Sequence, residues 1–92
     1  MKAVAKQERM KQIVQIFNSA EILPIPQLSY YWIAYLNQRL SSRYRISNVK
    51  CLAHIFKQIN SKGVISIKSR KVYLRVDDSL VCSRTFYLIS KK

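Results

Sequence analysis

The sequence predicts an α+β fold: three helices followed by a two- or three-stranded antiparallel β-hairpin or sheet. Three observations carry this expectation. Apolar residues recur at spacings of three and four as far as Ile59, which is the period of an amphipathic helix. The only glycine of the chain, Gly63, stands where that period stops. Beyond it apolar and polar residues alternate, the period of a half-buried strand.

The first helix is read from Gln7 to Ala20, where Met10, Ile13, Val14, Phe17 and Ala20 fall on one side. The segment Glu21 to Pro26 breaks it, because Pro24 and Pro26 disfavour helical geometry at the residues before them. Ile22 to Ile25 is therefore expected to be extended, as a short strand or a tight connector. Pro26 then opens a second helix, where its missing N–H costs nothing, and Leu28 to Leu40 continues it without a breaker. Leu28, Trp32, Leu36 and Leu40 form one stripe, while Tyr30, Tyr31, Ile33 and Tyr35 fill other sides. A helix apolar on most faces is expected to be buried on most faces, either at the centre of the domain or with its tyrosines in a homodimer contact. Stacking of bases on those aromatics is a third use, one that suits single-stranded nucleic acid.

After a linker from Ser41 to Ile46, Ser47 or Asn48 can cap a third helix by accepting from its free N–H groups, and the helix is placed at about 48–62. Gly63 ends it, as the residue free to adopt the left-handed conformation. Val49, Leu52, Phe56 and Ile59 converge on the core side, flanked by Ala53 and Ile55. Lys50, Cys51, His54, Lys57, Gln58 and Ser61 form the opposite, acid-free side.

In the β region Ile65 and Ile67 alternate with Ser66 and Lys68, then Val72, Leu74 and Val76 with Tyr73 and Arg75. Two arrangements are open. Either Ser69, Arg70 and Lys71 form a basic turn at the projecting tip, with Leu80 to Ile89 as a third strand, or the chain folds back once around Asp77 to Ser83. Charge favours the first, since an acidic tip is a poor phosphate contact.

Ninety-two residues with 49% apolar content suit a single folded domain spanning 1–92, its core within about 7–89. Between Arg39 and Arg75 stand ten basic residues and no acid, within a formal net charge of +13. Such a run repels itself unless an anion relieves it, and the commonest intracellular polyanion is nucleic acid. Two cysteines, one histidine and four acids are too few for a structural zinc site, so no metal and no cofactor is expected, and Cys51 and Cys82 are read as reduced thiols. The N-terminus lacks the apolar core of a signal peptide, and the longest uncharged stretch, Ile22 to Gln38, is too short and too polar to cross a bilayer. A cytoplasmic protein is the expectation. There is no Gly-rich phosphate loop and no nucleophile with an evident base; Asp77-Asp78 read as turn residues, and His54 has no acid near it in sequence to make it a catalytic base. An enzyme is not expected.

The order helix, short extended piece, helix, basic linker, helix, hairpin, together with the stretch IFKQINSKGVISIKSRKVYL in which a helix ends at a Gly and passes straight into a strand, resembles the winged helix-turn-helix superfamily of DNA-binding domains. In size and charge the chain is similar to the small stand-alone members that phages, viruses and plasmids encode. Two features depart from the pattern: the linker has no glycine, and the β region after Arg75 exceeds a minimal wing. The resemblance implies that the third helix lies in the major groove and that the wing, about 64–76, reaches the backbone or minor groove. It makes Ser47, Asn48, Lys50, His54, Lys57, Gln58 and Ser61 candidates for base or phosphate contact. Arg43 and Arg45 ahead of the helix, and Lys68, Arg70 and Lys71 from the wing, become candidates for phosphate contact.

The function so implied is sequence-specific binding of double-stranded DNA by a small transcriptional regulator. Two alternatives stay open: a basic protein-interaction module, such as an inhibitor of a nucleic-acid enzyme, and a non-specific DNA or RNA binder. Exposure of Tyr30, Tyr73 or Tyr87 would mark a single-strand binder. Membrane binding is disfavoured, because the basic residues are spread over several elements.

Overall fold

The computed structural model of the chain describes residues 2–75, 77–79 and 81–91. Val76 and Leu80, placed above in strands, lie outside the described residues. The elements are α1 (Lys2–Ser19), β1 (Gln27–Leu28), α2 (Ser29–Asn37), a single 3-10 turn (Ser42–Tyr44), α3 (Val49–Ser61), β2 (Ile65–Arg75) and β3 (Val81–Lys91). Three α-helices thus accompany one three-stranded antiparallel sheet of order β1-β3-β2, an α+β architecture.

Four aromatic rings join the helices to the sheet. Phe17 of α1 meets Trp32 of α2 edge-on at 6.0 Å and Phe56 of α3 at 6.0 Å, and Phe56 meets Tyr87 of β3 edge-on at 4.8 Å. Around them Ile13, Leu36, Leu52, Ile55, Ile59, Ile65 and Ile89 are fully enclosed. Polar ties fix the layers: Trp32 Nε1 donates to the Tyr87 carbonyl at 2.9 Å, Ser29 Oγ to the Thr85 carbonyl at 2.9 Å, and Lys91 Nζ to the Asn18 carbonyl near the end of α1 at 2.9 Å.

The structure corrects several expectations. α1 begins at Lys2, not Gln7, because Lys and Ala extend a helix without an apolar period to announce it. Pro26 does not open α2. Gln27 and Leu28 pair with Tyr87 and Phe86, and Leu28 stays extended at φ −59°, ψ 151°, so the short strand falls two residues after Ile25 and α2 starts at Ser29. Ile22–Ile25 is a connector, tightened by a bond from Ile25 N–H to the Leu23 carbonyl. Only one stripe of α2 is buried, Ser29, Trp32 and Leu36, while Tyr30 and Tyr31 reach solvent. Ile33 and Tyr35 are half-buried against the core, so the helix is open mainly on the side of Tyr30, Tyr31 and Ala34.

The larger correction concerns the hairpin. Ser69, Arg70 and Lys71 do not turn; β2 runs straight through them, paired residue for residue from Ile65↔Lys91 to Arg75↔Val81. That tripeptide has none of the Gly, Asn, Asp or Pro residues that a tight turn needs. Asp77 supplies turn chemistry instead, its Oδ1 accepting from the N–H and the hydroxyl of Ser79. Between Ile67 and Val72 the apolar residues change phase. The change marks the point where the strand leaves the helices, so that its apolar side chains change faces of the sheet.

Candidate nucleic-acid interface

Local rules build the outward face of α3. Asn48, in extended geometry, caps the helix by accepting from Cys51 N–H at 2.8 Å; Gly63 closes it at φ 76°. Asn60 Oδ1 then accepts from Ile67 N–H at 3.1 Å, which fixes the angle between helix and hairpin. With Leu52, Ile55, Phe56 and Ile59 inward, Lys50, Ala53, His54, Lys57 and Ser61 share the exposed side. Ala53 and Cys51 exchange the places expected of them: Ala53 is exposed, and Cys51 is half-buried against the core. The wide apolar stripe leaves their sides to be decided by a small rotation of the helix.

Not every expected contact residue is equally available. Asn48 is engaged as the cap, whereas Ser47 beside it is exposed. Gln58 is half-buried, with its Nε2 3.2 Å from His54 Nε2, so the amide donates to the imidazole when that nitrogen carries no proton. Ser61 Oγ donates back to the Gln58 carbonyl at 2.7 Å. Lys50 and Lys57 are exposed cations on this face.

The hairpin divides its basic residues between two faces. Side chains alternate along a strand, and Ile65 and Ile67 point into the core, so Ser69, Lys71, Tyr73 and Arg75 continue the α3 side. Lys68 and Arg70 fall on the opposite face, paired with Leu88 and Phe86. Two grooves lie between the helices and the hairpin, one of them taking in Ser69 and the other Lys71. One, of about 290 Å³, is lined by Ala53, Phe56, Lys57, Asn60, Ile67, Ser69 and Tyr87. The other, of about 240 Å³, lies between Ser29, Tyr30 and Val49 on the helices and Lys71 with Ser83–Thr85 on the hairpin. Together they form a trough walled by α3 and by the inner face of the hairpin. The structure therefore sets Lys57 and Lys71 along these grooves, has Lys50 and His54 exposed on α3, and leaves Lys68 and Arg70 across the sheet.

The α2–α3 linker is held by Asn37, which accepts from Ile46 N–H at 2.8 Å and donates to the Ile46 carbonyl at 3.0 Å. This keeps Arg43 and Arg45 exposed just ahead of α3, with the Arg43 guanidinium 5.5 Å from the Tyr44 ring. Arg39 is more closely engaged, 3.7 Å over the Tyr35 ring and bonded to the Tyr35 carbonyl. Of the three tyrosines that bear on single-strand binding, Tyr30 and Tyr73 are exposed, at 64% and 67%, and Tyr87 is buried. Burial pushes the Tyr87 phenol above its ordinary value.

Sequence reasoning missed Ala53 and Ser69 as groove residues, and Tyr73 and Arg75 as residues of the same face of the hairpin. The signal was available in the even–odd count from Ile65 and Ile67, provided β2 was taken as one strand. Cys51 and Cys82 are both free thiols. Among the described residues no group of three or more His, Cys, Asp or Glu is placed to hold a metal ion, and no helix is long and apolar enough to cross a membrane. No known protein family, curated protein or solved structure matches the chain.

Proposed function

We propose that the protein is a winged helix-turn-helix protein that binds double-stranded DNA and serves as a small transcriptional regulator. The observation that carries this reading is the pair of acid-free grooves between α3 and the hairpin, one lined by Lys57 and the other by Lys71, with Lys50 and His54 on the exposed side of the same helix and Arg75 farther along the same face of the hairpin. The element order, with a hairpin after the third helix and strand order β1-β3-β2, supports the winged reading. A B-DNA major groove, about 12 Å wide, admits a helix such as α3. Lys50 and Lys57 would then donate to guanine edges or phosphates, and the methyl of Ala53 would suit a thymine methyl. Arg43, Arg45, Lys71 and Arg75 would hold the flanking phosphates and set the register. Regulation would follow from occupancy of the site.

The test is selection from a random duplex pool at two salt concentrations. A motif that remains enriched at the higher salt supports sequence-specific regulation. With about six phosphates neutralised, the log–log salt slope is expected near −5. Unselective binding that collapses with salt would leave an electrostatic binder, and no binding at either salt would overturn the proposal. The exposure of Tyr30 and Tyr73 favours one second reading, stacking of single-stranded nucleic acid. A Tyr73→Ala variant that lost single-strand affinity more than duplex affinity would favour it.

A further inference from the structure

The helices cover one face of the sheet. Ile65, Ile67, Tyr87 and Ile89 point toward them and are buried, and the residues that alternate with these four point the other way. On that outer face the paired rows are Lys68–Leu88, Arg70–Phe86, Val72–Arg84 and Leu74–Cys82, and Leu28 of β1 stands beside Phe86. The first three rows each couple one apolar residue with one cation, and the cation changes strand between Arg70 and Arg84. The apolar residues therefore form a diagonal stripe, from Leu88 and Phe86 on β3 to Val72 and Leu74 on β2. Lys68 and Arg70 flank it on one side and Arg84, which also borders the second groove, on the other. None of the stripe residues packs against the core, and Leu74 is 52% exposed. No acid occurs in the three strands; Glu21 borders Ser90 and Lys91 past the Leu88 end, and Asp77 and Asp78 lie in the turn past Leu74.

We infer that this stripe is the docking site for an amphipathic helix of another protein, one whose apolar seam is bordered on both sides by Asp or Glu. The complementarity is of charge and of shape. Leu88 and Leu74 lie six positions apart along the strands, about 20 Å, which matches a helix of about four turns. The seam covers the stripe while carboxylates on its two borders meet Lys68 and Arg70 on one flank and Arg84 on the other, where a guanidinium takes a carboxylate through two hydrogen bonds. A second copy of the chain does not supply such a helix, because its four acids are Glu8, Glu21, Asp77 and Asp78 and no helix of it carries more than one. A nucleic-acid backbone would satisfy the cations and leave the stripe uncovered. The trough lies on the opposite face, so the inference does not depend on nucleic-acid binding.

The test is fluorescence anisotropy of a labelled synthetic peptide with the full chain, in the absence of nucleic acid. The peptide is a helix of about 16 residues with leucines at spacings of three and four and glutamates along both borders of that seam. A scrambled peptide of the same composition keeps the charge and loses the seam. The wild type is expected to bind the first peptide at micromolar concentration and the scrambled one about tenfold more weakly. Leu74→Ser and Arg70→Glu are each expected to weaken binding of the first peptide about tenfold, with circular dichroism unchanged because both side chains are exposed. Lys57→Glu makes the same charge change as Arg70→Glu in the trough and is expected to weaken it less than about twofold. Equal affinity for the two peptides, no loss from Leu74→Ser, equal losses from Arg70→Glu and Lys57→Glu, or no saturable binding up to millimolar concentration would overturn the inference. So would a dimer in sedimentation, or attachment to phosphatidylserine vesicles, that Leu74→Ser abolishes, since a second copy or a lipid surface would then occupy the stripe.

Discussion

The side-chain amide of Asn37 holds the backbone of Ile46 at both ends, accepting from its N–H at 2.8 Å and donating to its carbonyl at 3.0 Å. The pair closes the linker between α2 and α3 and so sets where the outward face of α3 looks. Because Ile46 is 3% exposed, its polar groups have little water to turn to when the amide is removed. Asn37→Ala is expected to cost about 2 kcal/mol in urea unfolding, the range for orphaning partly buried hydrogen-bonding groups. A change within a few tenths of a kcal/mol would show that the clamp is dispensable.

Gly63 takes a positive φ of 76°, and a Cβ built there meets nothing within 4 Å. The cost of Gly63→Ala is therefore conformational, about 1–2 kcal/mol, because left-handed geometry crowds the Cβ of an L-residue against its own backbone. Gly63→Asn is expected to be milder. Equal losses from alanine and asparagine in thermal unfolding would contradict this cause.

Burial raises the Tyr87 phenol above its ordinary value. A group whose folded pKa exceeds its unfolded one contributes stability that is fully present below the unfolded value, near 10, and is lost as pH rises through the folded value. The wild type is thus expected to lose stability above about pH 10 more steeply than Tyr87→Phe, which keeps the ring against Phe56. Parallel stability–pH curves for the two proteins would refute the assignment.

The division of basic residues between the two faces of the hairpin gives a test of the proposed interface. Lys57→Glu and Lys71→Glu change the trough; Lys68→Glu makes the same charge change on the other face. The first two are expected to weaken duplex binding at least tenfold and to lower the salt slope by about one each, whereas Lys68→Glu weakens it less than threefold. Equal losses from all three, measured by fluorescence anisotropy, would mean that binding follows net charge and not this face.

Much of the helical part was legible in the sequence. Phe17, Trp32, Leu36, Leu52, Phe56 and Ile59 were read as core from spacing alone, and all are buried. A cap at Ser47 or Asn48 and a stop at Gly63 were read from residue chemistry; Asn48 is the cap, and Gly63 closes the helix. The candidate interface was half legible: Lys50, His54 and Lys57 share the exposed side of α3 as expected. Arg70 and Lys71, adjacent in sequence and grouped as one wing contact, fall on opposite faces of the sheet. Treating Ser69 to Lys71 as a turn hid that alternation.

By itself the sequence determined the approximate extent of α3, its end, the choice of Ser47 or Asn48 as its cap, the acid-free character of its outward face, and the change to strand period after Gly63. Each depends on residues within a turn or two of one another, and side-chain shape, backbone freedom and helical period act over that range. Only the tertiary structure decided that Gln27 and Leu28 pair with β3, that Ala53 rather than Cys51 faces outward, and that Asp77 rather than Arg70 marks the turn. Those outcomes rest on partners far away in the chain. The pairing of Ser69 with Tyr87 carries β2 straight through the basic tripeptide, and the helices cover only the base of the hairpin.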